Sequence, residues 1–310
     1  DMSRFAIAHV GLPPVGTDPP EKAGFAAAKY ALLTLVAMLA FAANSLLCRL
    51  ALGQQLIDPA SFTAVRMISG AVMLGIILLP RWRTGRRSNV DWRSTAMLFM
   101  YMAFFSFAYL SLSAGTGALI LFGVVQLTMF VAALRDGETF PLASWAGLVL
   151  ALAGLIYLVS PGLAAPDPGG AILMTIAGLA WGFYSLLGRG VADPLEATAN
   201  NFIYSVPLVV AVGLWFAGSL HTSPQGLVLA AVSGAVTSGL GYVVWYSALR
   251  GLTATRAATV QLSVPVIAAF GGVLFLSESI TFRLTVATVA TLGGIWIVLA
   301  QRAVRPDRST

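Results

Sequence analysis

Long apolar runs separated by short polar stretches dominate the chain from residue 29 onward. Ten of these runs approach the 20 residues that a helix needs to cross about 30 Å of hydrocarbon. The predicted helices lie at approximately 29–50, 60–80, 94–112, 115–134, 142–160, 169–188, 199–218, 225–247, 255–276 and 283–301. Helices joined by such short connections pack as antiparallel neighbours. The pattern therefore predicts an all-α integral membrane protein whose function lies inside the helix bundle.

The composition supports this assignment. Apolar residues make up 58% of the 310 residues, and charged residues make up 10%, whereas a soluble domain carries about 25% charged residues. So few charges cannot cover a water-facing surface, which excludes a soluble globular protein. The net charge of +6 does not indicate nucleic-acid binding, because the basic residues lie between the apolar runs rather than along one polar face.

The basic residues also predict the orientation. With a cytoplasmic N-terminus, all 18 Lys and Arg except Arg49, Arg66 and Arg283 fall on the cytoplasmic side. Such an excess is typical of cytoplasmic connections. We therefore expect a multi-pass protein of the cell (inner) membrane with both termini cytoplasmic. The termini are expected to form a disordered tail over 1–28 and a short tail over 302–310.

Polar positions recur in the same order at an offset of 140 residues. The segment SLLCR at 45–49, for example, recurs as SLLGR at 185–189. This recurrence indicates two repeats, 29–160 and 161–301, with five helices each. Because five is an odd number, the second repeat enters the membrane from the opposite side. Inverted repeats around a central cavity favour a transporter that works by alternating access.

The sequence lacks the motifs of several other functions. It contains no phosphate-binding Gly-x-x-x-x-Gly-Lys-Ser/Thr loop, no Gly-x-Ser-x-Gly motif and no cluster of residues with metal-ligand spacing. The 12 Asp and Glu fall in tails, loops or helix ends, which argues against proton coupling through a carboxylate. We expect neither an enzyme nor a bound metal or cofactor.

Polar and aromatic side chains inside the predicted helices are the candidates for substrate contact. Gln126 and Gln261 are related by the repeat, as are Asn44 and Tyr184. Lipid cannot satisfy an amide group, so the glutamines should face the bundle interior. Hydrogen bonds that bridge helices are an equal alternative for the three amides. The predicted substrate-binding residues are Asn44, Tyr101, Gln126, Trp181, Tyr184, Tyr242, Trp245 and Gln261.

Helical spacing groups several of the aromatic residues. Trp181 and Tyr184 lie three residues apart on one helix face, and Tyr242, Trp245 and Tyr246 share another. Anchoring at the membrane interface is an alternative for Trp245 and Tyr246. Trp181 lies deeper in its helix and is expected to line a cavity.

The charged residues and the proline within or beside the predicted helices are interpreted as structural. Arg66 is expected to snorkel or to pair with Asp58, which leaves the cavity uncharged. Glu138 and Glu278 are expected to stabilise the starts of the fifth and tenth helices. Pro265 interrupts the backbone hydrogen bonds of the ninth helix and predicts a hinge.

These features together resemble the drug/metabolite transporter superfamily, specifically its EamA-type exporters. Pro265, the segment ESIT at 278–281 and the segment GGI at 293–295 are similar to the Pro…Glu-x-x-Thr…Gly-Gly pattern of that family. The aromatic content of the third, sixth and eighth helices resembles the YddG-type exporters of aromatic amino acids. The resemblance implies ten transmembrane helices in two inverted five-helix repeats around a central cavity.

We expect an exporter of small amphipathic metabolites, above all amino acids including aromatic ones. Aromatic walls can stack on a ring, and neutral polar groups can hold an amino-acid head group. The expected partners are the lipid bilayer and the small-molecule substrate, without nucleic acid, and the oligomeric state is open. One alternative is an exporter of drugs or lipophilic cations held by cation–π contacts. A non-transporting membrane sensor or scaffold is the alternative from another class.

Overall fold

The computed structural model describes residues 20–82, 90–162, 164–188, 191–252 and 254–304. The α-helices in these ranges are α1 (Pro20–Gly53), α2 (Pro59–Trp82), α3 (Trp92–Ala108), α4 (Ala114–Arg135), α5 (Leu142–Val159), α6 (Pro168–Leu187), α7 (Pro194–Trp215), α8 (Pro224–Val232), α9 (Gly241–Leu249), α10 (Ala254–Gln261), α11 (Ser263–Leu276) and α12 (Phe282–Val304). A π-helical segment, Ser233–Leu240, joins α8 to α9, and a 3-10 turn, Ala217–Ser219, follows α7.

Nine membrane-span candidates are long and apolar enough in the described ranges. One of them, Pro224–Leu249, combines α8, the π segment and α9, and another, Arg256–Leu276, combines most of α10 with α11. Helix α3 has 17 residues, which is near the lower limit of about 17 residues for a span. The described part of the chain therefore consists of helices and their connections, as in a multi-pass membrane protein.

Short polar caps begin several of the helices. Asp167 Oδ2 accepts a hydrogen bond from the Gly170 N–H at 2.6 Å, and Asp193 Oδ1 accepts one from the Glu196 N–H at 3.1 Å. Ser223 caps α8 in the same way. These acceptors satisfy N–H groups that have no partner within the helix, and they explain why the helices begin where the apolar runs begin.

Helices α5 and α12 pack along a stripe of small residues. A Cβ atom added to Gly147 would lie 2.6 Å from the Gly294 carbonyl oxygen, and one added to Gly154 would lie 2.6 Å from Thr291 Oγ1. Contacts this short require glycine, so the backbones approach closely. The small residues therefore determine how closely α5 and α12 pack.

The structure differs from the expected tails and shows a break in the ninth predicted span. Helix α1 begins at Pro20, so residues 20–28 are helical where a disordered tail was expected, and residues 1–19 lie outside the described ranges. Helix α12 continues to Val304. Helices α10 and α11 are separated at Leu262, one turn before Pro265. Because proline has no N–H, Pro265 cannot donate to the preceding turn.

Candidate functional site

A central cavity of about 500 Å³ lies between helices from both halves of the chain. Six of the predicted substrate-binding residues line it, namely Gln126, Trp181, Tyr184, Tyr242, Trp245 and Gln261. Its lining extends past the end of α6 to Gly188 and Val191 and reaches Leu249 at the end of α9. We call this end of the bundle the open end. The volume lies within the range of about 300–1,000 Å³ that small-molecule sites occupy.

The other two predicted residues, Asn44 and Tyr101, line a second, much smaller space of about 20 Å³, together with Arg66. We call it the Arg66 pocket. Trp181 and Tyr242 line both spaces, so their rings form the shared boundary. The eight predicted residues therefore surround two adjoining spaces.

An aromatic cluster forms that boundary. The Trp181 ring stacks on Tyr184 at 5.3 Å and on Tyr242 at 5.6 Å between ring centroids, with interplanar angles of 28° and 17°. Tyr101 packs against Trp181 from α3 at 4.8 Å. Such a cluster holds its rings in fixed orientations and presents flat faces to a ligand.

Hydrogen bonds fix the hydroxyl groups next to the cluster. The Tyr184 hydroxyl donates to Thr198 Oγ1 at 3.2 Å and accepts from Asn201 Nδ2 at 3.4 Å. Thr198 Oγ1 also lies 2.8 Å from the Tyr246 hydroxyl. Thr198, Asn201 and Tyr246 also line the central cavity, although none of them is among the substrate-binding residues predicted from the sequence. Thr198 and Asn201 are three residues apart and therefore lie on one helix face. This spacing was the feature of the sequence that could have identified them.

The two glutamines make weak backbone contacts. Gln126 Nε2 donates to the Ala258 carbonyl at 3.4 Å, and Gln261 Nε2 donates to the Ala257 carbonyl of its own helix at 3.4 Å. Both amide groups therefore face the bundle interior, as expected. Trp245 is only 8% exposed and lines the cavity, so the alternative that it anchors the protein at the membrane interface is wrong.

Asn44 bridges helices. Its Oδ1 accepts hydrogen bonds from Ser233 Oγ at 2.8 Å and from Thr237 Oγ1 at 3.3 Å, which joins α1 to the π segment. A buried amide oxygen with two donors is satisfied. The helix-bridging interpretation is confirmed, and Asn44 also lines the Arg66 pocket.

Arg66 is the main departure from the expected site. Its side chain is fully buried, at 0% exposure, and it does not pair with Asp58. Its Nε donates to Ser238 Oγ and its Nη2 donates to the Tyr101 hydroxyl, both at 3.3 Å. The guanidinium also lies 4.8 Å from the centre of the Phe105 ring. The expectation of an uncharged site is wrong, because Arg66 lines the pocket that adjoins the central cavity and Asp91 lines the central cavity itself.

Asp58 has other partners. Its Oδ1 accepts from the Ser61 N–H at 2.8 Å, and its Oδ2 accepts from the His221 N–H at 3.0 Å. Burial alone would raise the pKa of this carboxyl, but the hydrogen bonds from Ser61 and His221 outweigh it, and the net pKa is lowered. Two turns of helix, about 12 Å, separate residues eight positions apart, which explains why Arg66 does not reach it.

The end of the bundle opposite the open end is held by Glu278, and we call it the closed end. Glu278 Oε1 lies 3.0 Å from Arg49 Nε, and its Oε2 accepts from the Ala114 N–H at 2.9 Å. Arg49 also donates to the Tyr109 and Leu110 carbonyls. The expectation that Glu278 stabilises the start of its following helix is wrong, because it acts at the N-terminus of α4.

A helix bundle with a polar, aromatic cavity that reaches one end and is closed at the other defines a membrane transport protein. The sequence pattern of the EamA-like transporter family matches residues 28–160 and again residues 168–300. The chain therefore belongs to the EamA-like transporter family.

Several other proteins are similar over most of the chain. An uncharacterized protein of Pseudomonas aeruginosa is 53% identical over 277 residues, which cover 89% of this chain and 96% of the relative. An uncharacterized transporter of Archaeoglobus fulgidus is 25% identical over 87% of this chain and 97% of its own length. A solved crystal structure of a protein 19% identical in sequence has a TM-score of 0.64 and covers 89% of this chain and 98% of the other. At this identity the likeness concerns the fold alone.

Proposed function

We propose that the protein is a carrier that exports small amphipathic metabolites, above all amino acids including aromatic ones, by alternating access. The observation that carries the proposal is the central cavity with its cluster of Trp181, Tyr184 and Tyr242. The cavity reaches the open end, while Arg49 and Glu278 join the elements of the closed end. A carrier needs such a state and its opposite.

The arrangement of helices supports ten spans in two inverted repeats, with α3 as the tenth span. Contacts of α1 with α11 correspond to contacts of α6 with α4, and contacts of α1 with α9 correspond to those of α6 with α3. The pairs α2 with α7, α4 with α11 and α5 with α12 each join equivalent elements of the two halves. Exchange of the halves therefore maps these contacts onto one another, as a two-fold relation requires, whereas the contacts of α4 with α12 and with α1 have no counterpart of similar extent.

The charges support an orientation in which the open end is cytoplasmic. Arg135, Arg250 and Arg256 lie at the open end, beside the ends of α4, α9 and α10. Basic residues favour the cytoplasmic side. Both termini are then cytoplasmic, the protein lies in the inner membrane, and the cavity is open inward, which is the loading state of an exporter. The break at Leu262 supports Pro265 as a hinge between α10 and α11.

A test of the proposed function uses purified protein in liposomes. We expect saturable uptake of radiolabelled L-phenylalanine and L-leucine, inhibited by an excess of the unlabelled amino acid and absent from protein-free liposomes. Transport of tetraphenylphosphonium without any amino-acid transport would favour the alternative of a lipophilic-cation exporter. Absence of saturable transport of both classes would contradict the proposal and favour a non-transporting sensor or scaffold.

A further inference from the structure

We propose that the Arg66 pocket binds the carboxylate group of the substrate, an inference that rests on the proposed amino-acid transport and narrows it to substrates with a free carboxylate. The pocket lies beside the aromatic cluster. It holds a buried cation, Arg66, which is not among the substrate-binding residues predicted from the sequence. Arg66 would fix the orientation of the head group while Trp181 and Tyr242 contact the side chain.

The first observation is that the positive charge of Arg66 is not balanced. Neither the pair of Arg49 with Glu278 nor the pair of Arg81 with Asp193 involves it. The hydroxyls of Ser238 and Tyr101 that it contacts are neutral. A buried cation without a counter-charge is costly in an apolar environment. Within membrane helices such residues mark substrate pathways.

The second observation is an unused donor. Arg66 Nη1 is buried and has no hydrogen-bond partner among the described residues, although the side chain is fully buried and lines the pocket. A guanidinium presents its N–H groups in a planar fork that matches the two oxygens of a carboxylate. The free donor is therefore available to an anion that enters the pocket.

The size and charge of the pocket select a carboxylate over a phosphate. The free space is about 20 Å³, whereas one water needs about 10–15 Å³ by this measure, so only a small group fits. Arg66 carries a single positive charge, which balances one carboxylate, whereas a phosphate group carries about −1.5 to −2 charges. The substrate's bulk then lies across Trp181 and Tyr242, which line both spaces.

The test compares ligands that differ only in the carboxylate. L-phenylalanine and L-phenylalaninamide are added to purified wild type, Arg66→Gln and Arg66→Lys, and binding is measured by thermal-unfolding shift and by liposome uptake. We expect wild type to bind phenylalanine about tenfold or more tightly than the amide, because hydrogen bonds to charged groups are strong. Arg66→Gln should lose this preference, and Arg66→Lys should keep part of it. An unchanged preference in Arg66→Gln would overturn the inference.

A control variant excludes a general effect of losing an arginine. Arg283 contacts the Leu158 carbonyl and the Tyr157 ring away from both spaces, so Arg283→Gln should keep the wild-type preference. A measurement on wild type alone covers the case in which Arg66→Gln does not fold. Sodium benzoate should raise the unfolding temperature of wild type, and benzamide at the same concentration should not. Equal shifts by benzoate and benzamide would also overturn the inference.

The same experiments separate the two proposals. A carboxylate-dependent shift that is lost in Arg66→Gln, without transport of any amino acid, would support the anion site and contradict amino-acid transport. Equal transport of phenylalanine by wild type and Arg66→Gln, with the same preference over the amide, would support amino-acid transport and overturn the anion site.

Discussion

Trp181 touches both free spaces of the bundle, so a substrate that occupies both must lie against its ring. It is partly buried against Tyr101, Tyr184 and Tyr242, whose rings hold it in place. At the scale of single residues, the proposed amino-acid transport predicts that this side chain distinguishes aromatic from aliphatic substrates. Removal of its ring should therefore change specificity more than overall transport.

The change Trp181→Leu keeps an apolar side chain and removes the stacking surface. An aromatic pair contributes about 0.5–1.5 kcal/mol beyond its buried area, so the KM for L-phenylalanine should rise about three- to tenfold. The KM for L-leucine should change by less than about twofold, since an aliphatic chain does not stack. Initial uptake rates into liposomes measure both values.

Trp215 provides the matched control for this prediction. It is 86% exposed on the outside of the bundle and lines neither space. Trp215→Leu should leave both KM values unchanged. An equal rise of the phenylalanine and leucine KM values in Trp181→Leu would contradict a stacking role.

Asp58 makes the stability of the closed end dependent on pH. Its pKa is lowered in the folded protein by hydrogen bonds that outweigh burial, so its contribution is present above the ordinary carboxyl value of about 3.9. That contribution decreases as the pH falls through the lowered pKa. In Asp58→Asn the amide group faces the donor N–H of His221, and one unsatisfied pairing costs about 1–3 kcal/mol.

Thermal unfolding between pH 7 and pH 3 checks this prediction. Asp58→Asn should be less stable than wild type at pH 7, and the difference should shrink below about pH 4. Asp136→Asn, which changes an exposed carboxylate at the end of α4, should follow the wild-type profile. A constant difference between Asp58→Asn and wild type across this range would contradict the role of ionised Asp58.

The sequence predicted part of the site at this scale. Aromatic and amide residues within apolar helices have few ways to be satisfied except toward the interior, so Gln126, Trp181 and Tyr242 could be selected from the pattern. Arg66 could not be placed in the same way. Its partners, Ser238 and Tyr101, come from distant segments, and only the packed bundle shows that no carboxylate reaches it among the described residues.

At the scale of helices, α5 and α12 show how small residues determine a contact. A Cβ atom on Gly294 would overlap the backbone of Gly147 and lie 2.6 Å from the Ala151 nitrogen, whereas one on the neighbouring Gly293 meets no atom within 4 Å. The packing of α5 on α12 therefore requires glycine at position 294 but not at position 293. The contact depends on the helix face, not on glycine content.

Alanine substitutions at these two glycines are therefore expected to change the stability of the protein differently. Gly294→Ala should lower stability by about 1–3 kcal/mol, because the backbone leaves no room for the methyl group. Gly293→Ala should leave stability unchanged or raise it by up to about 1 kcal/mol, because alanine favours the helix. Thermal unfolding in detergent measures both variants, and similar destabilisation of the two would contradict the packing described for this interface.

The pattern of apolar and polar residues did not predict where a helix departs from regular α-helical geometry. The predicted helix at 225–247 corresponds to the run Pro224–Leu249, but its middle eight residues, Ser233–Leu240, are π-helical. The hydrogen bonds from Ser233 and Thr237 to Asn44 hold this segment against α1. Such distortions arise where tertiary contacts compete with the regular helix, whereas Pro265 marked the break at Leu262 directly.

At the scale of the whole molecule, the ion pair of Arg49 with Glu278 joins the two halves of the chain at the closed end. Glu278 also holds the N-terminus of α4 through the Ala114 N–H, so the pair links three separate elements. Side-chain exposures of 25% and 15% reduce its screening by solvent relative to a surface pair. Loss of Glu278 charge should therefore shift the population toward opening of the closed end.

Chemical labelling measures this shift. Ser45 is buried and lines the Arg66 pocket, so Ser45→Cys is made in a Cys48→Ala background and treated with a membrane-impermeant maleimide from the side of the closed end. Glu278→Gln should increase the labelling rate several-fold, since a closed state favoured by about 1 kcal/mol less is open about five times as often.

An ion pair at the opposite end provides the control. Asp193→Asn breaks the exposed pair of Arg81 with Asp193 at the open end and should leave the labelling rate unchanged. Equal acceleration by Glu278→Gln and Asp193→Asn would indicate general loosening, and no acceleration by Glu278→Gln would contradict its role at the closed end.

Counterflow tests the carrier mechanism most directly, because only a site exposed to one side at a time exchanges substrates across the membrane. Liposomes that contain the protein are loaded with unlabelled L-phenylalanine and diluted into trace labelled L-phenylalanine. Alternating access predicts a transient accumulation of label above its equilibrium level, with the same result in the presence and absence of a pH gradient. Uptake that rises to equilibrium without a transient excess, as in a channel, would contradict alternating access.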